Sequence, residues 1–585
     1  MKISRYVRVI AGGTAAAIAL GACGSAGASA VSTAGSQENT ADEKADRPEG
    51  DAAASIKTTL PEGLEWLTPF EETVTLNVVV GWDADSSIKE GTTPETNSLV
   101  QIAKDYLNID LNFLWMVPED QFEDRLALQL SSGEIPDVLM LTSENFYEFL
   151  DSKYLRDLTD AYETCASDEL KNAVTSMGDA PVQFSSREGK LYGIPAVLNP
   201  IESVAGLYYR SDWLDAVGME KPSSMEEVND MLVKFAEYGP SVNGGKSVAG
   251  LGTVSSVLNT NFALNGYFQG YGAYPNKWIM RDGKLVNGMV QDEILDALNG
   301  LKELYDRGVL APDFATWDFD QFSQHVTTDQ VGAAFGTYYI PAWPLNQNKD
   351  ANPDADWEEI DLAELGGKSK PAMNQTGIVA FNVVTKNAPK NAEEALVKLL
   401  NLGLAVNENC TVDTSIFGGM DQPENGADVF YLPVYVYYPT PWEQYREDIW
   451  AAYEAKDRDS LQLDYEKELY DDMADWLTNG NDSSQRGTSW GMYKSRLEKD
   501  MGIAIGLKDY AAGSYETNYF YGGATKTEQR VSATLSDIST SFVIDYILGE
   551  KTEADWEEFK KNWNDLGGAD WTAEVNEQYT QLTKQ

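Results

Sequence analysis

Residues 74–80 read VTLNVVV, a run of β-branched and apolar residues, and the alternation of helix and strand patterns downstream of it decides the fold. Leu99, Ile102, Ala103, Tyr106 and Leu107 recur at helical spacing, and Ile109, Leu111, Phe113 and Trp115 then alternate as in a strand with one inward face. A second helix is predicted from about Glu119, with Phe122, Leu126 and Leu130 inward, stopping at Ser131-Ser132-Gly133 before the strand Asp137-Val138-Leu139-Met140-Leu141. Strand, helix, strand, helix, strand predicts an α/β fold, an open parallel sheet covered by helices. Ligands of such sheets sit beyond the carboxyl ends of strands, which points to Trp82 and Asp83 after the first strand and to Glu144 after the third.

Near residue 195 the pattern restarts. Leu207-Tyr208-Tyr209 reads as a strand and Asp212-Trp213-Leu214 as a short helix. Ser223 and Glu226 form a capping box ahead of Val228, Met231, Leu232 and Phe235 on one helical face. A second lobe therefore begins here. Further strands are predicted at 331–335 and 377–381, and the tail is helical, with Trp556, Phe559, Trp563 and Leu566 at core spacing.

Upstream, residues 1–22 carry Lys2, Arg5 and Arg8 and then a mild apolar run too short for a membrane span, which reads as an export signal. It ends in Leu20-Gly21-Ala22-Cys23, similar to the lipobox of bacterial lipoproteins, where the cysteine takes a lipid before cleavage; a plain secretory signal cut after Ala30 is the alternative. Residues 23–59, rich in Ala, Ser, Gly and charge, read as a flexible tether.

Of 585 residues, 93 are acidic, 44 are Lys or Arg and 1 is His, for a net charge of −49. Such a chain repels phosphate backbones, which excludes nucleic acid and disfavours polyanionic ligands. Loss of residues 1–22 removes three basic residues and no acid, so the mature chain stands at −52. A single histidine, His325, rules out two-imidazole catalysis and is read as a surface or packing residue; Cys165 and Cys410 are read as buried thiols rather than a bridge.

Two glycine-rich stretches, 239–247 and 366–369, each miss a phosphate-binding loop by one residue. Asp350, Asn352, Asp354, Asp356, Glu358 and Asp361 space oxygens like a calcium loop, but Ala355 stands where that loop needs glycine, so a solvated acidic turn is the better reading. No nucleophile elbow or zinc helix is present, and 93 carboxylates guarantee chance pairs, so no catalytic residue is assigned.

Several segments together resemble the extracellular solute-binding proteins of ABC transporters, in the long carbohydrate-binding lipoprotein branch. They are GLYYRSDWLDAVGMEKPSSMEEVNDMLVKF (206–235), SSGEIPDVLML (131–141), REGKLYGIP (187–195), ELYDRGVLAPDF (303–314), QVGAAFG (330–336) and NYFYGGAT (518–525). The resemblance implies a two-lobed periplasmic-binding-protein-like fold of type II, with hinge strands and a cleft between lobes. Residues 60–196 with 372–432 would form the N-terminal lobe, and 197–371 with 433–585 the C-terminal lobe. Hinge crossings are expected near 195–200, 371–376 and 430–440. Relatives often carry calcium after the Phe235 helix; here Ser241, Val242 and Ser247 replace the acids needed, so no metal or cofactor is expected.

The implied function is capture of a neutral oligosaccharide and delivery to permease subunits, by a monomer anchored through Cys23 to the outer face of a Gram-positive-type membrane. A lipid-anchored glycoside hydrolase, or a binding protein for peptides or other small solutes, is the alternative. Sugar rings offer apolar C–H faces to aromatic side chains and hydroxyls to polar ones. Aromatics at strand ends or turns are therefore the candidates: Trp82 with Asp83, Tyr338, Tyr339, Trp343, Trp442, Trp490 and Tyr521, together with Glu144. Ordinary packing is the competing reading of each aromatic.

Overall fold

The structure, a computed structural model, describes residues 68–82, 98–118, 121–176, 178–258, 261–374, 377–405, 432–437, 440–520 and 525–583. Asp83, Tyr521, Cys23, Cys410 and the proposed tether lie outside them. No helix among the described residues is long and apolar enough to cross a membrane.

The first unit forms as its periodicity predicts. Strand Val74–Trp82 pairs in parallel with Ile109–Pro118, and helix Ser98–Leu107 crosses between them with Leu99, Ala103 and Leu107 fully buried. Strand Val138–Leu141 comes next, fixed to the first by the Asp137 amide on the Asn77 carbonyl (2.8 Å) and the Asn77 amide on the Asp137 carboxylate (2.7 Å). The strands do not form one parallel sheet: beside the parallel pair stands a three-stranded sheet in which Ile378–Val384, returning from the second lobe, inserts antiparallel between Val138–Leu141 and Ile194–Val197.

The inward alternation expected for the second strand also stops partway. Val78 pairs with Phe113 but Val79 pairs with Trp115, so Leu114 is a supernumerary residue, 40% exposed. Beyond this bulge the strand changes face. Phe113 packs with Val78 in the core under helix Ala392–Ala405, whereas Trp115 packs with Val79 and Phe122 on the opposite side.

The second lobe is built on strand Gly206–Arg210, flanked on both sides by the antiparallel strands Ala333–Gly336 and Trp357–Ile360. Helices Met225–Val242, Glu293–Asp306, Lys526–Leu548 and Glu553–Trp563 cover one face, with Trp556 and Trp563 in the core as expected. Leu566 is 38% exposed instead, because a π-turn at Asn564–Gly568 breaks the helical phase after Trp563. The predicted helix cap shifts by one residue: Ser224 is the cap, accepting from the Glu227 amide, and the Glu227 carboxylate returns to the Ser223 amide at 2.8 Å. The other face carries Phe319–Thr327, Leu345–Ala351, Trp442–Ala455, Asp464–Asn479 and Arg486–Met492.

At the end of the central strand sits a buried guanidinium. Arg210 is 2% exposed and grips Asp212 through two nitrogens (2.7 and 2.6 Å) and Asp329 through a third (2.5 Å). Its plane lies 4.6 Å from the Trp213 ring centre and 5.8 Å from that of Trp357. Asp329 also accepts from Asn348 and Asn352, and Asn348 accepts from the Trp357 indole, so amide donors make up for the second carboxylate that one guanidinium leaves.

Among the described residues, three connecting stretches run between the two cores. Residues 198–205 include a 3₁₀ turn, Pro200–Ser203, and the Leu198 amide bonds the Gly377 carbonyl at 2.9 Å. Ala372–Asn374 pairs in parallel with Glu516–Asn518. The third crossing is sewn to the first lobe by the fully buried Asn382, whose amide donates to the Tyr435 and Ile194 carbonyls and accepts from the Tyr435 amide.

Candidate functional site

Side chains from five separate stretches meet where these crossings enter the second lobe. Pro200 opens the 3₁₀ turn and the Asn199 side chain caps it, which holds Glu202 at its centre. Trp442 starts the helix after the third crossing, and its indole nitrogen donates to the Glu202 carboxylate at 2.8 Å. Tyr338 lies just past the edge strand Ala333–Gly336, its ring 6.0 Å from Trp442 at 61° and 6.0 Å from Tyr339 at 90°. Tyr465 closes the far side, 6.4 Å from Trp442. Above Tyr338, at 5.7 Å, lies the Arg496 guanidinium, which donates to the Tyr465 hydroxyl (3.1 Å) and the Ser495 hydroxyl (2.7 Å).

This floor is electrostatically uneven. Burial raises the Glu202 pKa above the usual carboxylate range, against the opposing pull of the Trp442 N–H, Arg496 and the Tyr338 hydroxyl. Burial likewise pushes Asp472 up to about 6 although Arg496 is near. The Glu202 carboxylate holds the Trp442 indole and Tyr338 hydroxyl, two of about four acceptor positions. Tyr338 and Tyr339 are 6% exposed and Trp442 and Arg496 4%, all packed into the second-lobe core, and Glu202 is the partly exposed member of the cluster.

Of the aromatics chosen from sequence, Tyr338, Tyr339 and Trp442 come together here. Trp343 stands apart, stacked on Phe319 at 4.3 Å. Trp490 is wholly enclosed in the second-lobe core, on the helix Arg486–Met492 rather than in a turn. Gly487 and Gly491 on this helix let it press against Asn346 and Pro341; a Cβ on Gly491 would lie 2.6 Å from the Pro341 carbonyl. Trp82 ends its strand in register with Pro118, and Glu144 lies in the first turn of helix Ser143–Asp151, capped by Thr142. Glu202, Tyr465 and Arg496 were missed: none sits in a motif, and only the fold brings them together.

The remaining sequence candidates have structural roles. Asp350 accepts from the Gly487 amide, Asp361 from the Ala363 amide, and Asp356 from the Ser211 hydroxyl. His325 stacks on Trp317 at 4.1 Å, a packing role. Cys165 is half-buried and carries no disulfide, a less complete burial than expected. Among the described residues, no group of three or more His, Cys, Asp or Glu side chains is placed to hold a metal.

The chain belongs to the family of bacterial extracellular solute-binding proteins, whose model matches residues 99–413, more than half of the sequence. It is 24% identical over 328 residues to the lipoprotein LipO of Bacillus subtilis, a match covering 52% of this chain and 60% of LipO. A polygalacturonan/rhamnogalacturonan-binding protein of the same organism, YtcQ, is 24% identical over 245 residues, 42% of this chain and 47% of that protein. The chain thus spans less than two thirds of the length of either. The fructooligosaccharide ABC transporter substrate-binding protein FusA of Streptococcus pneumoniae is 20% identical over 465 residues, 68% of this chain and 82% of FusA. The solved structure of FusA in complex with kestose superposes with a TM-score of 0.59 at 14% identity, covering 87% of this chain and 99% of that one. That likeness establishes the two-lobed α/β fold.

Proposed function

We propose that this protein is the substrate-binding lipoprotein of an ABC importer, which captures a neutral oligosaccharide by closure of two lobes and hands it to membrane permease subunits. The observation that carries the reading is the floor of Glu202, Tyr338, Trp442 and Arg496 at the crossing strands, where lobe motion would enclose a ligand. Trp82, Asp83 and Glu144, chosen from the sequence after the first and third predicted strands, are the first-lobe ligand contacts in this proposal. Lobe limits of 60–196 with 372–432 and 197–371 with 433–585 belong to the same reading. Relatives named for carbohydrate ligands, FusA among them, support the substrate class, and the net charge of −49 favours a neutral glycan over a polyuronate. The protein acts by binding, without turnover.

A thermal-shift screen over kestose, other neutral oligosaccharides, oligogalacturonates and peptides tests this. A ligand at 100 times its Kd adds about 2.7 kcal/mol of stability. A shift with peptides and none with any glycan overturns the sugar reading, and shorter sugars accumulating with time overturn the non-enzymatic one. Cys23→Ser should release the protein from the membrane into the medium.

A further inference from the structure

Helix Trp442–Ala455 has two working faces. Trp442, Tyr445, Ile449 and Ala452 are buried in the second-lobe core. Glu443, Arg446, Glu447 and Trp450 fall at i, i+3, i+4 and i+7 and so share another face. They line a groove of about 360 Å³, closed on the far side by Lys499 and by Leu507 of helix Ile503–Ala512. The groove starts where the floor ends. Glu443 follows the floor residue Trp442, and the Arg446 guanidinium donates to the carbonyls of Glu498 (2.9 Å) and of Arg496, whose own guanidinium lies over Tyr338. On the facing helix, a Cβ on Gly506 would lie 2.6 Å from the Ile201 carbonyl, one residue before Glu202. One turn beyond Leu507, Tyr510 is 47% exposed and stacks parallel to Tyr515 (6.2 Å, 5°), which leads into the crossing strand Glu516–Asn518.

Some groups in this groove are fixed and others are unspent. Trp450 is half-buried, and its indole N–H donates to the Leu497 carbonyl at 3.0 Å, which sets the plane of the ring. Arg446 is held by its two carbonyls. Among the described residues, the carboxylates of Glu443 and Glu447 and the ammonium of Lys499 make no ion pair, although all three line one groove. Lys499 instead stands over the Trp450 ring, 5.1 Å from its centre, on an exposed and flexible side chain that can leave the ring to donate elsewhere. Unlike charges held apart on either side of an indole make a place for an uncharged polyol: the ring takes the C–H face of a sugar, and acceptors and a donor take the hydroxyls at its rim.

We propose that this groove is an outer subsite for the captured glycan, holding the sugar units that extend past the floor, with Trp450 as the platform and Glu443, Glu447 and Lys499 as hydroxyl partners. The proposal deepens the oligosaccharide reading and rests on it. Seven residues of helix separate Glu443 from Trp450, about 10 Å along the axis, so the preferred ligand is a chain with units to spare beyond the floor and not a monosaccharide.

Calorimetry on the whole protein, with kestose and longer fructooligosaccharides and in parallel with a maltooligosaccharide series, tests it. Wild-type affinity should rise with chain length. Trp450→Ala should weaken the longest ligand about tenfold and the shortest less than about twofold, so that the length dependence disappears. Because that variant also removes a packed ring, Glu447→Ala at an exposed position is the second: it should show the same pattern at about threefold, with Tm unchanged. A wild-type affinity independent of length, or variants that weaken short and long ligands equally or not at all, overturns the subsite and leaves the sugar reading standing. Unchanged affinities with lost uptake by cells would assign the groove to the permease and overturn the subsite too. Failure of the wild type to bind any glycan removes the sugar reading and the subsite with it.

Discussion

The Arg210 cluster and the Glu202 floor are made of the same parts, a buried guanidinium, tryptophan rings and carboxylates, arranged to opposite ends. Around Arg210 the guanidinium holds Asp212 in a bidentate fork and Asp329 through its third nitrogen, with the Trp213 and Trp357 rings beside it. On the floor, burial raises the Glu202 pKa against the pull of the Trp442 indole, Arg496 and the Tyr338 hydroxyl. The first arrangement locks a strand to a helix; the second, in the proposed reading, leaves acceptor capacity on Glu202 for a ligand. In neighbouring parts of one lobe, degree of satisfaction separates structure from function better than residue type does.

The largest effect should come from the cluster. Arg210→Ala should cost about 3–5 kcal/mol in denaturant unfolding, since it strands Asp212 and Asp329, while the fraction still folded binds ligand normally. Arg210→Lys should recover little of it, because an ammonium cannot reproduce the fork. Loss of ligand affinity with unchanged stability would erase the contrast. On the floor, Trp442→Phe should weaken glycan binding about tenfold in calorimetry with a smaller change in stability, through loss of the hydrogen bond that orients Glu202. Glu202→Gln should remove a stability trend: as an acid with a raised pKa, Glu202 contributes most at low pH and less as pH rises through its ionisation, so wild type should fall relative to the variant. The smallest effect is expected at the exposed pair Arg458–Asp471, where Asp471→Asn should cost under about 1 kcal/mol despite good geometry.

Legibility in the sequence tracked the range of the interactions. The segment 206–235 was readable because a strand, a turn and a helix with Val228, Met231, Leu232 and Phe235 inward are local patterns. The cap at Ser224 instead of Ser223 was a one-residue ambiguity between adjacent serines. The floor was half readable: Tyr338 and Trp442 announce themselves as aromatics at element ends, but Glu202 and Arg496 lie 136 or more residues from Tyr338 and carry no local signal. Trp490 was expected at a strand end or turn but lies inside a helix, where Gly487 and Gly491 allow the close packing that encloses its ring.

The bulge at Leu114 carries a different lesson, about counting. Two residues of the second strand answer to one step of the first, so everything from Trp115 to Pro118 owes its side of the sheet to a single extra residue. A deletion there would leave composition and hydrophobicity almost untouched, yet would act as a frameshift does on a message: each later side chain would be read into the wrong layer, and Trp115 would exchange places with its neighbour.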